Sequence, residues 1–331
     1  MTFSEHISPT LPRPDCGNVT TEWKAIQTGC AAHAMNHWQW LVVSGSDHLD
    51  FLHRMSTNSV AELQQGTHAE TIFADARGRI VERVDLCRTD DLSSLLVFGP
   101  GATTTLPSWL DRYIFAEQID FVTHGPEDSM IEFMGPQIGA LLEGDLADVV
   151  ISGRACGVSE AGLRYARHHW AGAETIRLAG PTEQIEDLWN RVVDGPVTPV
   201  GETAWQLQRI SHGVPLREAE LNDAHNPWEA HLGASIDLHK GCYIGQEVIA
   251  RLEAYDKIKQ RLVGLHLPGV VAQGTRLEHE GRDVGYVGSC VPNPQGQCLG
   301  LGYVRNAHAS PGSQLNIVDH GICLVTPLPM P

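Results

Sequence analysis

The side chains best suited to chemistry lie in one run of eight residues, Lys240–Glu247, referred to below as the octet. Two glycines in it, Gly241 and Gly245, allow the backbone a positive φ or a close approach to a partner. Lys240 stands two residues before Cys242, and a nearby cation favours the thiolate. A thiolate in such a turn acts as a nucleophile, a redox centre or a metal ligand. We therefore predict Cys242 and Lys240 as the catalytic residues of a functional site.

The composition limits the class of protein. The chain has 331 residues, 42% of them apolar and 19% charged, which is typical of a globular protein with two or three compact units. Its net charge of −17 argues against direct binding to nucleic acid, because that interaction needs a basic surface. The sequence predicts neither a membrane span nor a signal peptide, because it has no long apolar run and its first residues are polar.

The cysteines and histidines form no familiar metal motif. Eight cysteines are spread without a CxxC pair, which indicates a reducing, cytoplasmic compartment rather than a disulfide scaffold. Among the 17 histidines, His33 and His37 have the i,i+4 spacing of a metal-binding helix, but no HExxH glutamate accompanies them. We therefore predict that the protein has no metal site.

Helices and strands alternate before the octet, and a β-rich region follows it. Apolar periodicity, caps and stop signals predict helices at 22–26, 49–55, 104–116, 137–142, 182–193 and 202–212. Strand patterns occur at 38–43, 71–74, 80–87, 95–98, 131–134, 148–151 and 175–178. After residue 259, short apolar runs alternate with glycine and proline turns, which is typical of a small antiparallel barrel. Those runs are 262–267, 275–277, 283–286, 299–304 and 322–325.

The octet resembles the signature of the YgfZ family, folate-binding proteins that are linked to the maintenance of iron–sulfur enzymes. That family is related to the aminomethyltransferase of the glycine cleavage system, the T-protein or GcvT. Further segments continue the resemblance on both sides of the octet and in the N-terminal third. They are Leu207–Ile210, Gly213–Pro215, Asn226–Glu229, Val248–Arg251, Arg261–Leu265, Leu299–Arg305, Asp50–Asn58 and Arg77–Ile80.

The resemblance implies an α+β fold with three subdomains, like that of the T-protein. A folate-binding domain would cover residues 1–258, with a ferredoxin-like middle subdomain inserted at about 121–200. A C-terminal β-barrel domain would cover residues 259–331. In T-protein-like chains the three parts meet around a central channel that holds the folate, so we expect such a channel here.

The resemblance also implies tetrahydrofolate as the ligand. Iron–sulfur client proteins or assembly factors would be the partners, with tRNA modification among the processes served, and we expect a monomer. A folate pocket needs an aromatic face, polar groups for the pterin edge and arginine for the carboxylate tail. The candidates for these contacts are Tyr243, Gln246, Glu247, Arg209 and Arg251.

Two segments depart from the T-protein pattern. Glu82 and Arg83 stand where a GGxxDD segment carries paired aspartates, and an arginine cannot serve as a general base. His169–Glu174 is the stretch nearest to GYTGExGxE, whose first glutamate holds the pterin, and it matches only the second glutamate, with Glu174. Both departures disfavour aminomethyl transfer. A folate-dependent one-carbon transferase, aminomethyltransferase-like or demethylase-like, is the alternative function, and a folate-binding module without chemistry is a third.

Overall fold

The computed structural model describes residues 13–35, 37–100, 105–147, 149–150, 153–193, 195–217, 219–254 and 258–330. Its helices are α1 (Val19–Thr28), α2 (His48–Met55), α3 (Thr105–Asp111), α4 (Ile138–Glu143), α5 (Thr182–Val193), α6 (Glu202–Ser211) and α7 (Gln246–Ala254). The strands of the first two thirds are β1 (Ala31–Ala34), β2 (Gln39–Ser44), β3 (His68–Ala74), β4 (Ile80–Arg88), β5 (Ser93–Phe98), β6 (Asp120–Thr123), β7 (Asp128–Met134), β8 (Cys156–Val158), β9 (Arg164–Trp170), β10 (Ala173–Pro181) and β11 (Thr198–Val200). The last third adds β12 (Gln260–Leu267), β13 (Arg276–His279), β14 (Arg282–Pro292), β15 (Cys298–Arg305), β16 (Gln314–Ile317) and β17 (Gly321–Thr326). These elements confirm the predicted α+β class.

The first subdomain is built on a five-stranded antiparallel sheet in the order β3-β4-β5-β2-β6. Helices α2 and α3 contribute Phe51 and Trp109 to the apolar core on one face of this sheet. Strands β3 and β4 form a hairpin whose turn, Asp75–Arg79, contains Gly78 at φ +70°. Backbone N–H groups at both ends of the turn donate to the Asp75 carboxylate, which keeps the turn rigid.

The middle subdomain has a six-stranded sheet in the order β11-β1-β7-β10-β9-β8. Helices α4 and α5 cover one face, where Ile185, Leu188 and Trp189 form the apolar face of α5 that its spacing predicts. The strands of this sheet do not coincide at either end with residues 121–200, the range predicted for the middle subdomain. Strand β6 joins the first sheet, and β1, from the N-terminal segment, pairs in parallel with β11.

The last six strands close into a barrel in the order β12-β15-β14-β13-β16-β17, which confirms the predicted C-terminal β-barrel. Its interior is apolar and includes Leu265, Leu277 and Val287. Helix α6 packs against the outside of the barrel through Leu207 and Ile210. The barrel is therefore joined to the other subdomains by a continuous apolar contact.

Several elements differ from the sequence pattern. Strand β9 was not predicted because its sequence, RYARHHW, is rich in charged and polar residues, although Tyr165 and Trp170 are buried. In the strand predicted at 148–151, residues 149 and 150 form a turn, and the other two positions lie outside the described residues. The helix predicted at 104–116 is observed as Thr105–Asp111, while residue 104 also lies outside the described part of the chain.

Candidate functional site

The octet forms a loop between a short 3₁₀ turn, Gly233–Ser235, and helix α7. Gly245 in this loop has φ +82°, and a Cβ there would lie 2.5 Å from the carbonyl oxygen of Asp75. Glycine is therefore required for the loop to approach the β3–β4 turn so closely. Tyr243 is buried in a small apolar cluster with Ile249 of α7, which fixes the inner side of the loop.

Lys240 anchors the start of the loop. Its Nζ donates hydrogen bonds to the carbonyl oxygens of His53 in the last turn of α2 and of Ser56 and Asn58 after it, the last two at 2.6 and 2.9 Å. The ammonium also lies 5.2 Å from the ring centroid of Tyr243. Burial lowers the pKa of Lys240 to about 8. Because its donors are committed to backbone carbonyls, we revise its predicted role from activation of the thiol to positioning of the loop.

Cys242 lies on the exposed side of the loop. All eight cysteines fall within the described residues and are free thiols, and Cys242 alone among them is exposed. A Cβ added at Gly241 would meet no atom within 4 Å, so this side of the loop is open. Burial raises the pKa of the Cys30 and Cys323 thiols to about 11, which makes them unreactive near neutral pH. Cys242 is therefore the thiol that a partner can reach.

The other octet candidates lie on both sides of the loop. The Tyr243 hydroxyl is buried without a hydrogen-bond partner among the described residues, and burial raises its pKa to about 12. Gln246 is half-buried as the first residue of α7, and Glu247 beside it is exposed. Arg251 is exposed further along the same helix. The structure thus brings these side chains onto one loop and helix, and their contact with a ligand stays a prediction.

Arg209 lies elsewhere, buried between α6 and the barrel. Its Nε donates to Gln206 at 2.6 Å, its Nη1 to the Glu220 carboxylate at 3.2 Å, and its Nη2 to the Ser289 hydroxyl. Each nitrogen therefore has a protein acceptor, and Arg209 stabilises the contact of α6 with β14. The structure does not bring this predicted site residue to the octet.

A buried polar cluster lies between the first sheet and the middle sheet. Arg177 on β10 donates to Glu132 on β7 at 2.7 Å and to Asp85 on β4 at 2.6 Å, so it joins the two sheets. Its guanidinium carbon lies 4.4 Å from the ring centroid of Trp38 and 5.4 Å from that of Trp170. We refer to this cluster of five residues as the chamber. Arg177 is 2% exposed and Glu132 is fully buried, so the cluster is shielded from bulk water.

Several buried polar atoms around the chamber have no partner among the described residues. They are Trp38 Nε1, Trp170 Nε1, His168 Nε2 and Arg177 Nη2. An unpaired buried donor costs roughly 1–3 kcal/mol, so native proteins seldom concentrate them. By contrast, Trp205 Nε1 donates to Glu132 at 2.7 Å and its ring stacks on Trp170. The unpaired atoms indicate that the chamber suits a polar occupant with acceptor atoms.

Strand β4 carries the two residues that stand where T-proteins have paired aspartates. Arg83 Nε donates to Glu70 at 2.8 Å, which holds the guanidinium in an ion pair. Glu82 is 3% exposed and accepts a hydrogen bond from Arg217 at 2.6 Å. Burial nevertheless raises the pKa of Glu82 to about 7. Arg83 therefore stays a cation, whereas Glu82 can exchange a proton near neutral pH.

Hydrogen bonds connect the segment before the octet with strand β4. Ser235, just before the octet, donates its hydroxyl to Glu70, and Glu70 also accepts from Arg83. The Ser235 carbonyl accepts from Thr57 Oγ1 at 2.7 Å, next to the backbone that holds Lys240. Since Arg83 and Asp85 are two residues apart on β4, they share the face that lines the chamber. The hydrogen bonds of the segment before the octet therefore extend to the strand that carries the chamber residue Asp85.

None of the five chamber residues is among the predicted site residues. A signal for two of them is present, because Glu132 and Arg177 interrupt the apolar strands MIEFM and TIRLA. A charge in such a strand needs a buried partner. The partners follow only from the β7–β10 register, which pairs Arg177 with Glu132, and from the contact between the two sheets.

Metal and membrane features are absent from the part of the chain that the structure describes. No three or more His, Cys, Asp or Glu side chains there are arranged to hold a metal ion. His33 lies on strand β1 rather than on a helix, and its Nδ1 is 3.1 Å from the Val200 carbonyl oxygen.

None of the described helices is both long enough and apolar enough to cross a membrane.

This architecture defines a protein class, and comparison with known proteins identifies it. The chain belongs to the GCVT N-terminal domain family, whose model matches residues 7–240. "Putative transferase At1g60990, chloroplastic" of Arabidopsis thaliana is 28% identical over 323 residues, covering 92% of this chain and 72% of that protein. "Aminomethyltransferase" of Symbiobacterium thermophilum is 25% identical over 327 residues, covering 93% of this chain and 87% of that protein.

A solved structure has the same fold. The glycine cleavage system aminomethyltransferase T from Bartonella henselae matches with a TM-score of 0.82, covering 94% of this chain and 89% of that chain at 20% identity. The match confirms the predicted three-subdomain, T-protein-like fold with a ferredoxin-like middle subdomain and a C-terminal β-barrel. At this level of identity the similarity concerns the fold alone.

Proposed function

We propose that this protein is a YgfZ-like, tetrahydrofolate-binding protein that assists the assembly, repair or maintenance of iron–sulfur enzymes. The observation that carries the proposal is the exposure of Cys242, alone among eight free thiols, on a loop that Lys240 and Gly245 hold in place. A cysteine whose role is packing is normally buried. Cys242 is the functional thiol, and it meets the client protein or its cluster from the surface.

The chamber offers groups that suit a reduced folate. Trp38 and Trp170 provide aromatic surface beside Arg177, and the carboxylate oxygen of Asp85 that Arg177 does not occupy can accept from an N–H group of a pterin. The unpaired Nη2 of Arg177 can donate to the pterin carbonyl oxygen. When bound, tetrahydrofolate would supply one-carbon carrier chemistry. These residues would hold and orient it away from bulk water.

The octet end contributes the other proposed folate contacts. Ser235 and Arg83 both donate to Glu70, so the segment before the octet lies beside β4, the strand that carries Asp85, which supports a single functional centre for folate and thiol. Arg209 is left out, because its nitrogens are bound within the protein. The contacts proposed at the octet end are Tyr243, Gln246, Glu247 and Arg251.

We also propose a monomer in a reducing, cytoplasmic compartment. Its partners would be iron–sulfur client proteins or assembly factors, without direct contact to nucleic acid or membrane. The free state of all eight cysteines supports a reducing compartment. The net charge of −17 opposes binding to a phosphate backbone. The Arabidopsis relative is named as chloroplastic, which is a statement about that protein.

Calorimetric titration with tetrahydrofolate and its 5-formyl derivative tests the ligand. We expect micromolar affinity. Asp85→Asn keeps the size of the side chain and removes its charge, so it should weaken binding at least about ten-fold, equivalent to about 1.4 kcal/mol. The matched control is Asp187→Asn on the exposed face of α5, which should bind as the wild type does. Absence of both heat and thermal shift at millimolar ligand would refute folate binding.

A folate-dependent one-carbon transferase is the second candidate function. One observation favours it, namely that burial raises the pKa of Glu82 to about 7, a range suited to general acid–base catalysis. The ion pairs of Glu82 with Arg217 and of Arg83 with Glu70 argue against aminomethyl transfer. In a reconstituted glycine cleavage system, this chain should not replace the T-protein. Methylenetetrahydrofolate formation that is lost in Glu82→Gln would favour the second candidate instead.

A further inference from the structure

A separate cleft of about 660 Å³ opens on the other side of the β3–β4 turn from the octet. One wall is the end of α3 and the residues after it, and the opposite wall is the turn itself. The segment that contains Arg217 and Asp223 forms the third wall. This volume lies within the range of small-molecule sites in proteins. Arg217 lines this cleft and also a small pocket beside the chamber. None of the five chamber residues lines the cleft.

The α3 wall presents the half-buried ring of Tyr113, which packs against the buried ring of Trp109. The Trp109 and Tyr113 ring centroids are 5.0 Å apart at an interplanar angle of 56°. Trp109 is only 7% exposed, and the edge of Phe73 packs against it at 6.0 Å. A ring surface that is already immobilised loses little conformational entropy when a planar ligand stacks on it. The wall is therefore suited to an aromatic ligand.

The charges in the cleft select the polar groups of such a ligand. Arg112 is exposed and has no hydrogen bond or ion pair with any described residue, whereas Arg217 is paired with Glu82. Asp223, across the cleft, likewise has no side-chain partner within the described part of the chain. A free guanidinium binds a carboxylate or phosphate, and a free carboxylate accepts from an amino group. An unpaired arginine is notable in a chain with a net charge of −17.

We propose that this cleft is a second ligand site, which binds an aromatic amine that carries an anionic group. The ring lies against Tyr113, the anion on Arg112, and the amine towards Asp223. The proposal goes beyond folate binding in the chamber and stands on different residues. Two sources share this chemistry, the aminobenzoyl-glutamate end of a folate and a purine mononucleotide.

Calorimetry on the full chain with 4-aminobenzoyl-glutamate and with adenosine monophosphate tests the proposal. We expect one of the two probes to bind below 1 mM, the concentration that corresponds to about −4.1 kcal/mol. Arg112→Gln and Tyr113→Leu should each weaken that binding at least about five-fold, a difference of about 1 kcal/mol. Arg276→Gln, at an exposed arginine on barrel strand β13, is the control and should bind as the wild type does.

The outcomes separate this site from the chamber. Binding of the aminobenzoyl-glutamate probe alone identifies the cleft as a folate-end site, and binding of the nucleotide alone identifies an independent site. The proposal is overturned when neither probe binds, or when both cleft variants bind like the wild type. Tetrahydrofolate is titrated in parallel into the Arg112→Gln and Asp85→Asn variants. Because only Asp85 belongs to the chamber, the variant that loses binding shows which of the two sites has failed.

Discussion

The octet and the chamber each contain a buried cation, yet the two regions pair its charge in opposite ways. In the chamber, Arg177 is buried and paired with two carboxylates, so the polar groups are locked in place. In the octet, the buried ammonium of Lys240 donates its hydrogen bonds to backbone carbonyl oxygens, and the thiol of Cys242 is exposed. This difference agrees with our proposal that the interior binds the ligand and the surface loop presents the thiol.

Loss of the buried arginine should have the largest effect on stability. Arg177→Met leaves Asp85 and Glu132 without their shared partner, and breaking a buried pair in this way costs about 3–5 kcal/mol. Arg167→Met on the neighbouring strand β9 is the control, because Arg167 has no side-chain partner among the described residues. Urea unfolding should separate the two variants clearly. A loss below about 1 kcal/mol for Arg177→Met would contradict the role of the chamber as a rigid element.

Lys240→Met tests whether the octet cation is an anchor or an activator. Removal of the charged hydrogen bonds to the end of α2 should destabilise the protein by about 2–3 kcal/mol. Lys259→Met, at an exposed lysine, should cost less than about 0.5 kcal/mol. We also expect the alkylation rate of Cys242 at neutral pH not to fall. A rate that drops ten-fold while stability is unchanged would restore the activating role.

Two glycines of the octet should respond very differently to the same change. Gly245→Ala places a Cβ against the Asp75 carbonyl oxygen at a positive φ, which should cost about 1–2 kcal/mol. Gly241→Ala meets no atom within 4 Å, so its midpoint of thermal unfolding should stay close to that of the wild type. Equal behaviour of the two variants would show that the loop is not held against the β3–β4 turn.

A pH dependence of stability is expected at Glu82. Burial raises its pKa from 4.5 to about 7, so between these pH values the folded protein binds more protons than the unfolded chain. Stability should therefore fall as the pH rises from about 4.5 to 7, on the order of 1–3 kcal/mol. Glu82→Gln should flatten this part of the profile measured by urea unfolding. An unchanged profile would show that a group other than Glu82 causes the pH dependence of stability.

Local sequence rules predict the fold better where apolar spacing is regular. The helix at 182–193 has its predicted bounds, because one apolar face, a threonine start and a Gly-Pro stop agree. Local rules do not predict strand β9 or the short strands β1 and β11, because these strands form by pairing with segments distant in sequence. Pairing over long sequence separation is a tertiary effect that local patterns do not contain.

The same limit applies to the site. The octet stands out from its residue types alone, and its exposed cysteine agrees with that interpretation. The direction of the Lys240 side chain and the internal partners of Arg209 depend on segments far away in sequence, so their predicted roles had to be revised or left out. The chamber needs the contact of two sheets, and only its isolated charges in apolar strands could be noticed beforehand.

Complementation by Cys242→Ser tests the central claim most directly. The measurement is the activity of iron–sulfur enzymes in cells that lack this gene and carry either the wild type, Cys242→Ser or the control Cys290→Ser, whose thiol is half-buried. We predict that Cys242→Ser unfolds at the wild-type temperature and still binds tetrahydrofolate, yet leaves the enzyme activities at the level of the deletion, while Cys290→Ser restores them. Full restoration by a stable Cys242→Ser would contradict the account, because the exposed thiol would then have no part in the function.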